Sequence, residues 1–269
     1  MNRRIALAKH WFFTNKNGIS LTELLTKVFE KTCDLKAKPY IKNITKEGEY
    51  YKVELKNVDG ILYYPATIAL RSLYQVITES TDKEQWHYYE IPETLISPTD
   101  VVVDCGAAEG LFSFLVAKRC FKVYAIEPLP AFVASMRLSF THLNNVEIFQ
   151  IALSDHPGTA FIDNNDISSS LNKTGNVPVS VQTIDNLFYH KGIIINYLKA
   201  DLEGYELDML RGATNTIKQC KPKVAITTYH NATHASEIQK FLLNIHPNYH
   251  IKFKGIEERA GAPVMLHAW

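Results

Sequence analysis

Long hydrophobic runs are missing from this sequence. No apolar stretch approaches the ~18 residues of a membrane-spanning helix, and no apolar segment with a small-residue cleavage site follows the opening Met-Asn-Arg-Arg. The chain is therefore expected to have no membrane span and to be cytoplasmic. Cysteine is scarce: the 4 present, Cys33, Cys105, Cys120 and Cys220, form no C-x-x-C pair and fit no zinc spacing. A disulfide scaffold and a structural zinc site are both excluded, leaving free thiols in a reducing compartment. Charge of one sign is missing too. With 29 Lys plus Arg against 28 Asp plus Glu, the net charge is +1. No strong field draws such a chain to nucleic acid, and no nucleic-acid partner is expected. Two nucleotide signatures are absent as well. A G-x-G-x-x-G fingerprint begun at Gly106 would need glycine at Ala108 and Leu111, and no Gly-Lys-Ser/Thr completes a phosphate loop.

What is present is a globular composition, 46% hydrophobic over 269 residues, enough for one large domain or a domain with an appendage. Residues 1–94 read as an N-terminal α+β extension, a candidate acceptor-binding or interface region. A helix is expected over 21–31, with Leu21, Leu24, Leu25 and Val28 on one face. Tyr51–Leu55 alternates like a strand, Asp59-Gly60 signals a turn, and Ile61–Tyr64 completes a hairpin. A second helix is expected over 66–78, and the aromatic-rich stretch Trp86–Ile91 reads as a further strand. Ser97-Pro98-Thr99-Asp100 then punctuates the chain.

Residues 95–269 alternate strand and helix. Apolar strands are expected at Val101–Asp104, Val123–Ile126, Val146–Leu153, Tyr197–Ala200 and Val224–Thr227, with helices over 110–119 and 130–142. Continuous apolar strands separated by helices imply a parallel sheet covered on both faces. Two last strands, near 249–255 and 263–269, lack a helix between them and imply an antiparallel hairpin at one edge. The stretch 154–194 is too long for a plain crossover and is expected to hold a strand pair, Thr159–Ile162 and Val179–Gln182, and a helix from Ile184. The fold class is α/β, Rossmann-like.

The densest motif is Asp104-Cys-Gly106-Ala-Ala-Glu-Gly110, between a strand and a helix. Its glycines allow a sharp turn and let a ligand approach bare backbone. Glu127 ends the next strand, where a carboxylate can accept hydrogen bonds from ribose hydroxyls. S-adenosylmethionine has no phosphates but carries an ammonium and a sulfonium, which the acidic Asp104 and Glu109 would favour.

Several segments together resemble the FkbM-type methyltransferases: Val102–Gly110, Ala125-Ile-Glu-Pro-Leu-Pro130, Ala152-Leu-Ser-Asp155, Val181-Gln-Thr-Ile-Asp185, Leu198–Glu206 with Leu210-Arg-Gly-Ala213, and Ala225–His230. The block Asp201-Leu-Glu-Gly-Tyr-Glu206 followed by Leu210-Arg-Gly-Ala213 is the most specific. The resemblance covers most of residues 86–269. It implies a class I methyltransferase fold and methylation of a hydroxyl on a sugar, glycan or natural product. It also implies a cofactor site made of Asp104, Gly106, Ala107, Glu109, Gly110, Glu127, Pro128, Ala152 and Asp201. Ala108 and Glu109 depart from the Asn-Ile or Asn-Thr pair of the family. The first ~85 residues lie outside the resemblance and could set acceptor choice.

Methyl transfer to an alcohol needs alignment and removal of the hydroxyl proton by a base or with a metal's help. Asp201 and Glu203 at the end of the fourth strand and His230 at the end of the fifth are the catalytic candidates. His230 could act as a neutral base or join Asp201 on a divalent cation; it reads equally as a structural histidine. Glu206 and Asp208 read as helix-start charges. His230, His234 and Glu237 mimic a metal spacing but read better as a solvated helix start. His87, His142, His156, His190, His246 and His250 carry no comparable context. Two alternatives remain open: a non-catalytic S-adenosylmethionine or nucleotide-binding subunit, and a nucleotide-dependent oxidoreductase. Oligomeric state and acceptor identity are not legible.

Overall fold

A computed structural model describes residues 3–14, 16–162 and 177–269. The N-terminal region opens with three helices, α1 (Arg3–Phe13), α2 (Leu21–Val28) and α3 (Cys33–Ala37). A three-stranded antiparallel sheet follows, β1 (Ile41–Glu47), β2 (Tyr50–Leu55) and β3 (Leu62–Pro65), then α4 (Leu70–Thr81). The β2–β3 hairpin is present as expected, with Val53 opposite Leu62. Three details differ from expectation. Leu21 and Leu25 are each 49% exposed, and α2 buries Leu24 and Lys27. The α4 helix starts and ends later than 66–78. Trp86–Ile91 forms no strand. Its aromatics are dense because each is buried against a different element: Trp86 with Trp11, Leu24 and Ile256, and Tyr89 with Val102, Phe112 and Tyr197. No regular pairing could satisfy both.

The rest of the chain is a mixed α/β layer with a mostly parallel central sheet. The elements are β4 (Val101–Cys105), α5 (Leu111–Val116), β5 (Lys122–Ile126), α6 (Pro130–Ser139), β6 (Val146–Phe149), β7 (Ala152–Leu153), β8 (Gly158–Ile162), β9 (Val177–Gln182), α7 (Ile184–Leu187), β10 (Tyr197–Ala200), α8 (Glu206–Arg211), α9 (Thr214–Cys220), β11 (Lys223–Thr227), α10 (His234–Ile245), β12 (Ile251–Lys254) and β13 (Met265–Ala268). The sheet order is β12-β13-β11-β10-β4-β5-β6, and β13 is the reversed strand, antiparallel to both neighbours. The stretch expected as one strand over Val146–Leu153 is split. Val146–Phe149 joins the central sheet, while Ala152–Leu153 pairs with β9 in a small sheet ordered β7-β9-β8.

Strands β4 and β10 are adjacent and parallel at the centre, and the chain proceeds from β4 to β5 on one side and to β10 on the other. That is the topological switch point, where ligands bind beyond the carboxyl ends of the strands. Leu198 and Ala200 of β10 join the large apolar cluster with Val103, Cys105 and Ile226. A second cluster joins the N-terminal hairpin and α4 to the α5–α6 layer: Val53, Leu62, Tyr64, Leu73 and Ile77 pack with Leu111, Phe114, Met136 and Phe140. This shared core holds α4 against the switch point. Among the described residues no helix is long and apolar enough to cross a membrane.

Candidate active site

A cavity of about 370 Å³ opens at the switch point, a size suited to a cofactor-sized molecule. The loops after β4, β5, β10 and β11 and the face of α4 all contribute to its wall. The loop after β4 turns sharply because Gly106 and Gly110 adopt left-handed φ of 74° and 86°. The N–H groups of Gly106 and Ala107 both donate to the Ile126 carbonyl, at 3.0 Å each, tying this loop to the end of β5. Ala108 follows at φ 48°, a region that asparagine tolerates better than alanine. This is the position at which the sequence departs from the family's asparagine.

Glu127 closes that side. Its Oε2 accepts from the Ala108 N–H at 2.9 Å and its Oε1 from the Leu129 N–H at 2.8 Å. Burial raises its pKa to about 7, and burial does the same to Glu109. Each carboxylate oxygen of Glu127 keeps a further acceptor site toward the cavity.

Lys199 was not anticipated. It sits within the apolar run Tyr197-Leu-Lys-Ala, opposite Asp104 in the β10–β4 register. Its Nζ lies 2.9 Å from Asp104 Oδ1 and donates to the Gly106 carbonyl at 2.6 Å. Burial opposes the ammonium, but the charges of Asp104 and Asp201 and the contact with Asp104 together outweigh it and raise the Lys199 pKa. Asp104 is fully buried and also accepts from the Ser113 hydroxyl at 2.7 Å. A lysine in the middle of a strand otherwise made of buried residues was the available signal.

At the other end, Asp201 is the hub. Tyr89 Oη donates to its Oδ2 at 2.9 Å and Thr227 Oγ1 to its Oδ1 at 3.2 Å. Burial keeps Tyr89 protonated by pushing its pKa well up. Two histidines flank Asp201: His230 Nε2 is 3.8 Å from Oδ1 and His87 Nε2 is 3.9 Å from Oδ2. His87 also lies 3.2 Å from the Tyr229 hydroxyl. Chain reversal after β10 uses two left-handed residues, Glu203 at φ 52° and Gly204 at 105°. Glu203 is a non-glycine residue held in a costly conformation at the cavity wall.

That reversal buries Glu206. Its Oε1 accepts from the N–H groups of Leu202 at 2.9 Å and Gly204 at 3.3 Å and from His230 Nδ1 at 2.9 Å, and lies 3.2 Å from Thr227 Oγ1, whose single hydrogen it shares with Asp201. Burial alone would raise its pKa, but the hydrogen bonds from His230 and His234 hold it far below the usual range. Burial likewise opposes charge on His230. The carboxylates of Glu203 and Glu206 outweigh it and raise its pKa to about 10.

The expected site residues divide accordingly. Gly106, Ala107, Glu109, Glu127, Pro128, Ala152, Asp201 and Glu203 line the cavity, while Asp104, Gly110 and His230 lie outside that lining. Asp104 is fully buried and paired with Lys199 and Ser113. Gly110 starts α5 under Met136 and Phe140 and serves packing. His230 lies outside the lining, with Nδ1 2.9 Å from Glu206 Oε1 and Nε2 3.3 Å from Glu203 Oε2. Glu206 is no surface helix-start charge, and His234 is buried with Nδ1 3.4 Å from Glu206 Oε2, away from any solvated position. Glu79, His87 and Tyr89, all within the N-terminal region, reach the cavity and were missed. The packing of α4 brings Glu79 there, and the stretch after α4, with Tyr89 packed on Val102, Phe112 and Tyr197, brings His87 and Tyr89. Asp201, Glu206 and His230 offer ligand atoms within 4.8 Å of one another, so a cation can be considered at this end.

The sequence model of the methyltransferase FkbM domain matches residues 104–253, more than half of the chain and all the strand ends just described. The chain belongs to the FkbM methyltransferase family. Its fold is similar to that of a solved FkbM methyltransferase from Methylobacillus flagellatus KT, at 21% identity and a TM-score of 0.53, over 74% of this chain and 54% of that one. The chain thus spans about half the length of that relative. It is also similar to M. jannaschii TYW2, solved with AdoMet, at 14% identity and a TM-score of 0.46 over 84% and 86% of the two chains. A third is Aeropyrum pernix fibrillarin with bound S-adenosyl-L-methionine, at 12% identity and a TM-score of 0.42 over 85% and 99%. No curated protein matches the sequence.

Proposed function

We propose that this FkbM family member is an S-adenosylmethionine-dependent O-methyltransferase acting on a hydroxyl of a sugar, glycan or natural product. One observation carries the reading: a single cavity has the Gly106–Glu109 loop and Glu127 at one end and Asp201, Glu203 and His87 at the other. Glu127 would accept the ribose hydroxyls. Gly106, Ala107 and Glu109 would hold the methionine end, and Pro128 and Ala152 would border the adenosine. The loop lacks the G-x-G-x-x-G spacing of a dinucleotide site, with Ala108 and Leu111 where glycine is needed, which weighs against a nucleotide-dependent oxidoreductase.

The methyl donor is already activated, so this chain has to align the acceptor and accept its proton. Asp201 is held by Tyr89 and Thr227 and orients the hydroxyl. His87 replaces His230 as the group suited to take the proton, because it faces the cavity and its buried Nδ1 has no hydrogen-bond partner. A non-catalytic binding subunit would have no use for this polar acceptor wall.

Calorimetry with S-adenosylhomocysteine and NAD, followed by transfer of labelled methyl to a panel of glycans and cell extract, tests the reading. S-adenosylhomocysteine should bind, and Glu127→Ala should weaken it by ~1–3 kcal/mol, the usual loss of a charged hydrogen-bond partner. Binding of NAD in its place would overturn the proposal.

A further inference from the structure

We infer that the acceptor end of the cavity takes a molecule bearing a protonated amine beside its hydroxyl, of the amino-sugar or amino-alcohol class, and turns anionic acceptors away. The inference rests on the methyltransferase reading above and adds the acceptor's charge to it. Three carboxylates line this end: Glu79 from α4, Asp201 just after β10, and Glu203 in the turn that follows. Among the described residues that line the cavity there is no arginine. The one lysine there, Lys199, is committed to Asp104 and the Gly106 carbonyl. His230 brings positive charge behind the wall, but Glu203 and the buried Glu206 share it. Asp201 is met by the neutral hydroxyls of Tyr89 and Thr227, which leave its charge in place.

Glu79 marks where the amine would sit. It lies outside residues 104–253, the stretch shared with the family. Its Oε1 accepts from Gln75 Nε2 at 2.9 Å, while its Oε2 is 4.0 Å from His87 Nδ1, too far for a hydrogen bond. That nitrogen is buried without a hydrogen-bond partner, on a residue 9% exposed that lines the cavity. A hydroxyl on Nδ1 and an ammonium on Oε2, carried by neighbouring carbons of one molecule, fit that separation and complete both groups.

The electrostatics run the same way. Burial raises the Glu79 pKa, and the negative charges of Asp201 and Glu203 add to the rise. Like charges around one cavity repel one another, and a cation placed among them relieves the repulsion. Tyr205 and Tyr229 border the same end, and aromatic faces also favour an ammonium. An anionic group would meet the same carboxylates with no arginine to receive it. An amine held as an ammonium has no lone pair, so the neighbouring hydroxyl remains the nucleophile.

The experiment is a ligand-observed NMR titration with three matched sugars: methyl glucosaminide, methyl glucoside and N-sulfated methyl glucosaminide. They carry a cation, no charge and an anion at one position. Each is titrated with and without saturating S-adenosylhomocysteine. The amine should bind at least ~10-fold more tightly than the neutral sugar and the sulfated sugar most weakly, with the preference shrinking as salt is added. Glu79→Gln and Glu203→Gln should each lower the ratio of amine to neutral affinity by at least ~3-fold. Glu147→Gln, on an exposed side chain away from the cavity, should leave the ratio as it is. Circular dichroism confirms folding; if one cavity variant does not fold, the other decides. No binding of the amine, sulfated sugar binding as tightly as the amine, or a ratio unchanged in both cavity variants would overturn the inference. Uptake of S-adenosylhomocysteine without amine preference sinks the acceptor's charge alone. Amine preference in a chain that fails to bind S-adenosylhomocysteine sustains the charge selection and sinks the methyltransferase reading.

Discussion

Gly106 packs so closely on Asp201 that a Cβ built at Gly106 would lie 1.9 Å from the Asp201 carbonyl oxygen. The contact follows from the pairing of β4 with β10, since the Asp201 N–H donates to the Cys105 carbonyl at 3.0 Å. It joins the Gly106 end of the cavity to the Asp201 end through two backbones.

Gly106→Ala should therefore cost well over ~2 kcal/mol, because the methyl meets backbone and the left-handed φ is strained for any other residue. Gly158→Ala, with nothing within 4 Å of its Cβ position, should stay within ~0.5 kcal/mol of wild type. Urea denaturation of both variants checks the contrast. Equal midpoints would show that the loop can move away from Asp201.

The buried pair of Lys199 and Asp104 makes a second prediction. Lys199→Met strands a buried carboxylate and should destabilise the chain by ~3–5 kcal/mol. Adding Asp104→Asn removes the charge, keeps the Ser113 hydrogen bond, and should recover at least half of that loss. A double-mutant cycle by thermal unfolding measures the coupling. Additive losses would mean the pair contributes no more than its separate contacts.

Stability should fall as pH rises through the range between the ordinary glutamate value and neutrality. Glu109 and Glu127 are raised from 4.5 to about 7 by burial. The folded state then binds more protons than the unfolded state between those values, so unfolding free energy decreases with pH there and levels off above about 7. The upper bound is on the order of 3 kcal/mol for each group. Glu109→Gln should flatten the slope in urea melts recorded across this window. An unchanged slope would remove Glu109 as its source.

All four cysteines are free thiols in the structure. Alkylation of the unreduced protein followed by mass spectrometry should label four sites after denaturation. In the native state Cys105 should react last, because it is fully buried and burial pushes its thiol pKa far up. Prompt native labelling of Cys105 would indicate that the β4–β10 core opens readily.

The local signals were strong where one strand or turn decides the outcome. The runs Val101–Val103 and Tyr197–Ala200, the glycine loop from Gly106 and the acidic end of β5 follow from periodicity and from glycine's freedom, and the sequence by itself determined them. The loop's own residues line the cavity for the same local reason. What each carboxylate faces was decided only by tertiary structure. Glu206 has the local appearance of a helix-start charge; it is buried because His230, 24 residues later, comes from the end of β11 to meet it. Asp104 looks like a ligand-facing acid until Lys199 arrives from the neighbouring strand, 95 residues away in sequence. Glu79 reaches the cavity because α4 is held to the α5–α6 layer by the shared apolar core, and His87 because its neighbour Tyr89 packs on Val102, Phe112 and Tyr197. A residue's type and spacing set which interactions it can make. Which of them it does make depends on strand order and on helix packing, contacts between segments that no local pattern encodes.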